Sequence, residues 1–202
     1  MSRIKSFATI AALVLLGPAA HASVELIHNG GFESAGGFSG GFETIGSGLD
    51  GWTIGGTVDL INTYWAPASG GYSLDLNGGG AGSISQSFAT VVGQTYNVSF
   101  SLAGNPVGGG DKYFSAGVTA PHAYIVDING KTLANMGWVR QSFSFVATSG
   151  TSTLSFVGDP YNSYYGAALD NVSVVAAVPE PATYGMLLAG LAMVGGLARR
   201  RK

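Results

Sequence analysis

The chain has 202 residues, 33 glycines, no cysteine and a formal net charge of −2. The absence of thiols excludes disulfides, zinc–thiolate centres, iron–sulfur clusters and cysteine nucleophiles. Its near-neutral total hides an asymmetry: Ser23–Val178 carries ten carboxylates against three cations (Lys112, Lys131 and Arg140), a balance of −7 that leaves no basic footprint for nucleic acid. Such a segment is also repelled by anionic polymers unless divalent cations bridge the two.

In chain order, Arg3 and Lys5 precede an apolar run from Phe7 to Leu16, and Ala20-His21-Ala22 has the small-x-small pattern of a cleavage site. This predicts a secretory signal peptide over 1–22. From 23 to 178, glycine clusters such as Gly30-Gly31, Gly55-Gly56, Gly78-Gly79-Gly80 and Gly108-Gly109-Gly110 alternate with short runs rich in Ser, Thr, Val, Ile, Phe and Tyr. Ser83–Phe88 alternates polar and apolar residues, with Gln86 on the Ile84/Phe88 face. Tyr96–Leu102 puts four apolar side chains on one face, and Gln141–Val146, Leu154–Phe156 and Val172–Val174 repeat the habit. A period of two with one apolar face predicts half-buried antiparallel strands, and hence a single all-β domain, an antiparallel β-sandwich of about eight to ten strands. Asp127-Ile128-Asn129-Gly130-Lys131 predicts a tight hairpin at Asn-Gly. Trp52, after Gly51 and before alternating residues, is expected in the core.

The last segment, 179–202, is tripartite: Pro179-Glu180-Pro181, an apolar stretch from Ala182 to Ala198, and the basic cluster Arg199-Arg200-Arg201-Lys202. About 17 residues at about 1.5 Å each make roughly 26 Å of helix, barely enough for a bilayer core of about 30 Å. Cations directly after the span are expected to stay cytoplasmic, leaving the domain outside.

This tail resembles the PEP-CTERM sorting signal of Gram-negative bacteria. The resemblance implies export, inner-membrane retention through a helix over 182–198, and processing near Pro179, Glu180 and Pro181 by an exosortase. Arg199, Arg200 and Arg201 would complete the signal, and the destination would be the cell surface or extracellular matrix. Further upstream, Asn29-Gly30-Gly31-Phe32-Glu33, Gly51-Trp52-Thr53, Ser73-Leu74-Asp75-Leu76-Asn77-Gly78, Gly93-Gln94-Thr95-Tyr96 and Ala168-Leu169-Asp170-Asn171-Val172 occur in that order. The string is similar to the choice-of-anchor C surface proteins and, more distantly, to galactose-binding-like jelly rolls. Those include a plant cell-wall family of unknown function and some carbohydrate-binding modules. In such jelly rolls the first and last strands hold a calcium ion. The resemblance therefore implies Ca²⁺ at Glu33 and Asp170, with the Asn29 loop completing the shell. The alternative is that Glu33 caps a turn and Asp170 accepts backbone N–H bonds.

Exposed aromatics can stack on the apolar faces of pyranose rings. Tyr64-Trp65 and Tyr164-Tyr165 fall in loop-like segments, and the expected glycan site is Tyr64, Trp65, Tyr164 and Tyr165 with Asp59, Asn62 and Asn77 as polar partners. Gly37-Phe38-Ser39-Gly40-Gly41 fits a hydrolase elbow and Gly46–Gly51 a dinucleotide fingerprint in spacing alone, without the strand–helix context that either needs. The expected function is a non-catalytic surface or matrix protein that associates with exopolysaccharide. A structural or adhesive protein making protein–protein contacts is the alternative, and a glycoside hydrolase using paired carboxylates comes third.

Overall fold

The computed structural model describes residues 23–34, 36–177 and 181–199. The expected signal peptide over 1–22 and the sorting residues Pro179, Glu180, Arg200 and Arg201 lie outside the described residues. The strands are β1 (Phe42–Ile45), β2 (Thr53–Gly55), β3 (Val58–Ile61), β4 (Ser73–Asp75), β5 (Ser83–Ala89), β6 (Thr95–Gly104), β7 (Lys112–Gly117), β8 (Pro121–Val126), β9 (Val139–Val146), β10 (Thr151–Gly158) and β11 (Ala167–Ala176). All pair antiparallel, in one sheet of order β1-β3-β4-β11-β6-β9 and a second of order β2-β5-β10-β7-β8. The antiparallel sandwich is as predicted. Among the described residues its eleven strands exceed the expected count because β1, β2 and β4 have only 4, 3 and 3 residues, too short to display a period. These strands belong to one compact unit, Ser23–Val178.

The alternation read from the sequence selects which side of each strand is buried. β6 turns Tyr96, Val98, Phe100 and Leu102 inward to meet Ile84 and Phe88 of β5, Phe114 of β7, and Leu154 and Phe156 of β10. Full burial of each such side chain contributes about 1.5–3 kcal/mol. Trp52 lies in this core, its ring 5.9 Å from Phe32 and 6.4 Å from Phe156. Gln86, the polar residue on an apolar face, is buried and occupied: its Oε1 accepts from His28 N at 2.7 Å and its Nε2 donates to His28 O at 2.9 Å. It thereby ties the chain that precedes β1 to the sheet.

A second, smaller apolar cluster of Ile61, Trp65, Ala103, Met136 and Ala168 involves the opposite, outward positions of β3, β6 and β11. Residues 62–72 and 127–138 fold back over that face. This corrects the hairpin expected at Asn129-Gly130. The turn forms, with Lys131 N donating to Ile128 O and Gly130 at φ +70, but β8 pairs with β7 and β9 pairs with β6. The Asn-Gly turn therefore belongs to a crossover between sheets, because burial of Ile128 and Met136 holds the segment against the sandwich.

The tail forms helix α1 (Pro181–Arg199), with exposed Arg199 in its last turn. Among the described residues no helix is long and apolar enough to cross a membrane.

A tyrosine-lined cleft as the candidate binding site

On the outward face of the six-stranded sheet lies a cleft of about 340 Å³. Its floor is made by Phe42 and Thr44 of β1, Asp59 and Ile61 of β3, and Asp75 of β4. Tyr64, the glycines Gly78 and Gly79, Asn105 and the pair Tyr164-Tyr165 rise around it. Alternation explains the floor: Val58, Leu60 and Leu74 face the core, so Asp59 and Asp75 must face the other way. They are direct cross-strand partners, which places their Cβ atoms about 4.5–5.5 Å apart.

The two carboxylates have different duties. Asp75 is almost wholly buried; its Oδ1 accepts from Asn77 N and Gly166 N, each at 2.9 Å, and its Oδ2 from Asn105 Nδ2 at 2.9 Å. Desolvation still outweighs these donors and pushes its pKa up to about 7. Asp59 is half-buried, and burial raises it also, against a 2.5 Å bond that its Oδ1 accepts from Thr44 Oγ1. Among the described residues no partner is paired with Asp59 Oδ2, which leaves it open to a ligand. The phenol of Tyr64 is raised by burial first and then by Tyr165, Asp75 and Asp59, so these four groups share one electrostatic environment.

The second wall is built under strain. Asn77, fully buried, donates through Nδ2 to Asp159 O (3.0 Å) and Ser163 O (2.8 Å), pinning the turn Pro160–Asn162 that delivers the tyrosines. Ser163 sits at φ 55, ψ −121, a region that non-glycine residues rarely occupy. Tyr165 is seated over Gly108, where φ is +91 and a Cβ would come within 2.3 Å of the ring. Buried Lys112 holds that glycine loop by donating from Nζ to Gly109 O at 2.9 Å. Ser163→Gly is expected to raise stability by about 1 kcal/mol in urea denaturation, by releasing the strain. The same change should weaken any ligand held by Tyr164-Tyr165. A lower unfolding midpoint would show that the backbone there is not strained.

Of the residues expected from sequence, the structure brings Asp59, Tyr64, Tyr164 and Tyr165 together. Three expectations are corrected. Trp65 is 3% exposed, packed in the second apolar cluster with its Nε1 donating to Ser73 Oγ at 2.8 Å, so it offers no face to a sugar. Asn77 is spent on the turn just described. Asn62 does not line the cleft, and its Oδ1 is buried without a partner. Phe42, Thr44, Asp75 and Asn105 were missed. The signal for Asp75 was present, since Val58-Asp59-Leu60 and Leu74-Asp75-Leu76 share one pattern.

At the calcium positions expected by resemblance, Asp170 Oδ2 accepts from Ala68 N and Ser69 N and its Oδ1 from Asn171 N. Glu33 accepts from Gly71 N and Tyr72 N. Asn29 donates from Nδ2 to Asp50 O and accepts at Oδ1 from Ser34 N, while the Asn29 and Gly30 carbonyls receive Trp52 Nε1 and Val172 N. The oxygens there already serve the loops 29–34 and 68–72. An ion would have to share their lone pairs. Burial raises Asp170 to about 6, with nearby Glu33 contributing. Among the described residues, no group of three or more His, Cys, Asp or Glu side chains is placed to hold a metal.

The fold and cleft define a jelly-roll β-sandwich with a concave polar–aromatic site on one sheet. Residues 25–175 match the family described as protein of unknown function DUF642, and the chain belongs to that family. Residues 177–202 match the PEP-CTERM protein-sorting motif, which marks an exported surface protein. Halomucin of Haloquadratum walsbyi (strain DSM 16790 / HBSQ001) is 32% identical over 187 residues, 84% of this chain but 2% of that protein's length. Among solved structures, TmCBM61 in complex with β-1,4-galactotriose is similar at TM-score 0.53 and 15% identity, covering 77% of this chain and 100% of that one. The Stig cyclase Fisc from Fischerella sp. TAU is similar at TM-score 0.55 and 14% identity, over 79% and 100% of the two chains. These likenesses establish the jelly-roll fold.

Proposed function

We propose that this is a non-catalytic, glycan-binding surface module. In this reading α1 holds the exported precursor in the inner membrane, with the domain outside and the basic tail inside, until an exosortase acts near Pro179-Glu180-Pro181. The domain then resides at the cell surface or in the matrix, where its cleft retains exopolysaccharide. The carrying observation is the cleft itself: Tyr64 and Tyr165 beside the open carboxylate oxygen of Asp59, on a floor fixed by three sheet strands. Flat apolar rings beside hydrogen-bond acceptors suit pyranoses, which present C–H faces and hydroxyl donors. The fold alone would not decide this, because a cyclase shares it.

Hydrolysis is the weaker use of the same cleft. Asp75, the second carboxylate such chemistry would need, has both oxygens engaged by backbone and Asn105 donors and is 1% exposed. One observation favours the adhesive alternative: Tyr161 is 91% exposed and Tyr164 59% exposed, side chains that a protein partner could cover.

Retention of the detergent-solubilised full-length protein on the producer's own exopolysaccharide is the test. Tyr165→Ala is expected to weaken retention by at least about tenfold, the loss typical of removing an anchoring tyrosine, without unfolding the domain. Unchanged retention would remove the cleft from the reading. No retention by the unaltered protein would favour adhesion to protein.

A further inference from the structure

We infer that the cleft selects uncharged, hydroxyl-rich glycan chains and rejects chains bearing carboxylates or sulfates. The inference rests on the glycan-binding reading above and specifies its ligand class. Among the eleven residues that line the cleft the only ionisable groups besides tyrosines are Asp59 and Asp75, and none is a cation. Lys112, the cation coupled electrostatically to Asp75, is not among the lining residues; it is buried and donates to the carbonyl of Gly109. An anionic sugar would therefore meet two carboxylates with no cation in the cleft to pair with. Like charges brought together in a partly desolvated site are strongly unfavourable.

The hydrogen-bonding inventory agrees. Asn105 is 3% exposed, its Nδ2 donating to Asp75 and its Oδ1 accepting from Val107 N, so it turns little polarity toward a ligand. Thr44 has already given its proton to Asp59. What remains is the open Oδ2 of Asp59, the free lone pairs of Thr44 Oγ1, and phenols that both donate and accept. Acceptors dominate this set, so the fitting ligand is one rich in donors. A neutral sugar hydroxyl is a donor; a carboxylate or sulfate is only an acceptor. Charge and hydrogen bonding thus exclude the same class of ligand for two separate reasons.

The test uses matched polymers: β-1,4-galactan, β-1,4-mannan and β-glucan, each also with its primary alcohols oxidised to carboxylates. Affinity electrophoresis of the detergent-solubilised full-length protein is run at pH 8 and low salt with EDTA, so that both aspartates are ionised and no divalent cation bridges. The neutral form of at least one polymer should be retained about tenfold more tightly than its oxidised twin, with the gap narrowing as salt rises. Asp59→Asn should weaken retention of the neutral polymer and shrink that gap. Asp127→Asn, an exposed acid in the 127–138 crossover, should leave the gap as it is, which separates the cleft from the domain's general negative charge. Thermal melting checks that both variants are folded. Equal or tighter retention of an oxidised polymer, or an unchanged gap in Asp59→Asn, would overturn the selectivity. Retention of neither form of any polymer, including the producer's own, would instead overturn the glycan-binding reading on which it rests.

Discussion

Phe100→Ala is expected to destabilise the sandwich by about 3–5 kcal/mol, the usual loss for removing a buried aromatic ring. Phe100 is fully buried at the middle of β6, a strand inside its sheet, flanked by β11 and β9. Its ring stands edge-on to Phe156 at 5.1 Å, Tyr124 at 5.6 Å and Phe114 at 6.1 Å, so it joins both layers. Backbone on both sides is fixed by ladder hydrogen bonds, which limits collapse into the space left behind. The cavity term therefore adds to the transfer term. Urea denaturation should show the midpoint falling with an unchanged slope. A loss below about 1 kcal/mol would mean that the layers close over the gap and that the aromatic cluster is not the keystone of the packing. The effect bears on function because β6 leads directly into Asn105, which holds Asp75 at the cleft floor.

The sandwich was legible because alternation is a direct physical record of which side chains face the core. Even Gln86, an apparent flaw in the pattern, faces inward as its position required and makes two hydrogen bonds there with the backbone of His28. Two kinds of feature were not legible. Strands of three or four residues have no measurable period, so β2 and β4 could not be drawn, and with β4 undrawn the pairing of Asp59 with Asp75 was hidden. The other kind is a loop that folds back on a sheet. An aromatic pair between a strand and a proline reads as exposed, yet residues 62–72 lie against the outward face and divide the pair. Tyr64 faces the cleft, while Trp65 is buried with a hydrogen bond to Ser73. No local rule tells which of two adjacent aromatics will point down. Asn77 failed for a similar reason: an asparagine before three glycines suits a turn or a ligand, and only the approach of the carbonyls of Asp159 and Ser163, more than eighty residues later, decides between them.

The pH dependence of stability should run opposite to the common acid-denaturation pattern over part of its range. For a carboxyl whose folded-state pKa is raised, the native state binds the proton more tightly than the unfolded chain. Its contribution is fully present below the unfolded pKa and is lost as pH rises through the folded one. For Asp75 that window runs from the ordinary 3.8 to about 7, and the loss across it amounts to up to about 4 kcal/mol. Asp170, raised to about 6, and Asp59, also raised by burial, act in the same direction. The urea midpoint should accordingly be higher at pH 5 than at pH 8. Asp75→Asn should flatten most of that slope. A midpoint that rises from pH 5 to pH 8 would show that the donors on Asp75, from Asn77, Gly166 and Asn105, outweigh its burial. The titration also reaches the cleft. Gly166 N, directly after Tyr165, donates to Asp75, so ionisation tightens the bond that anchors the second wall even as it adds charge to the floor. Stability and the cleft's aversion to anions should therefore change together, in opposite senses, as the pH passes 7.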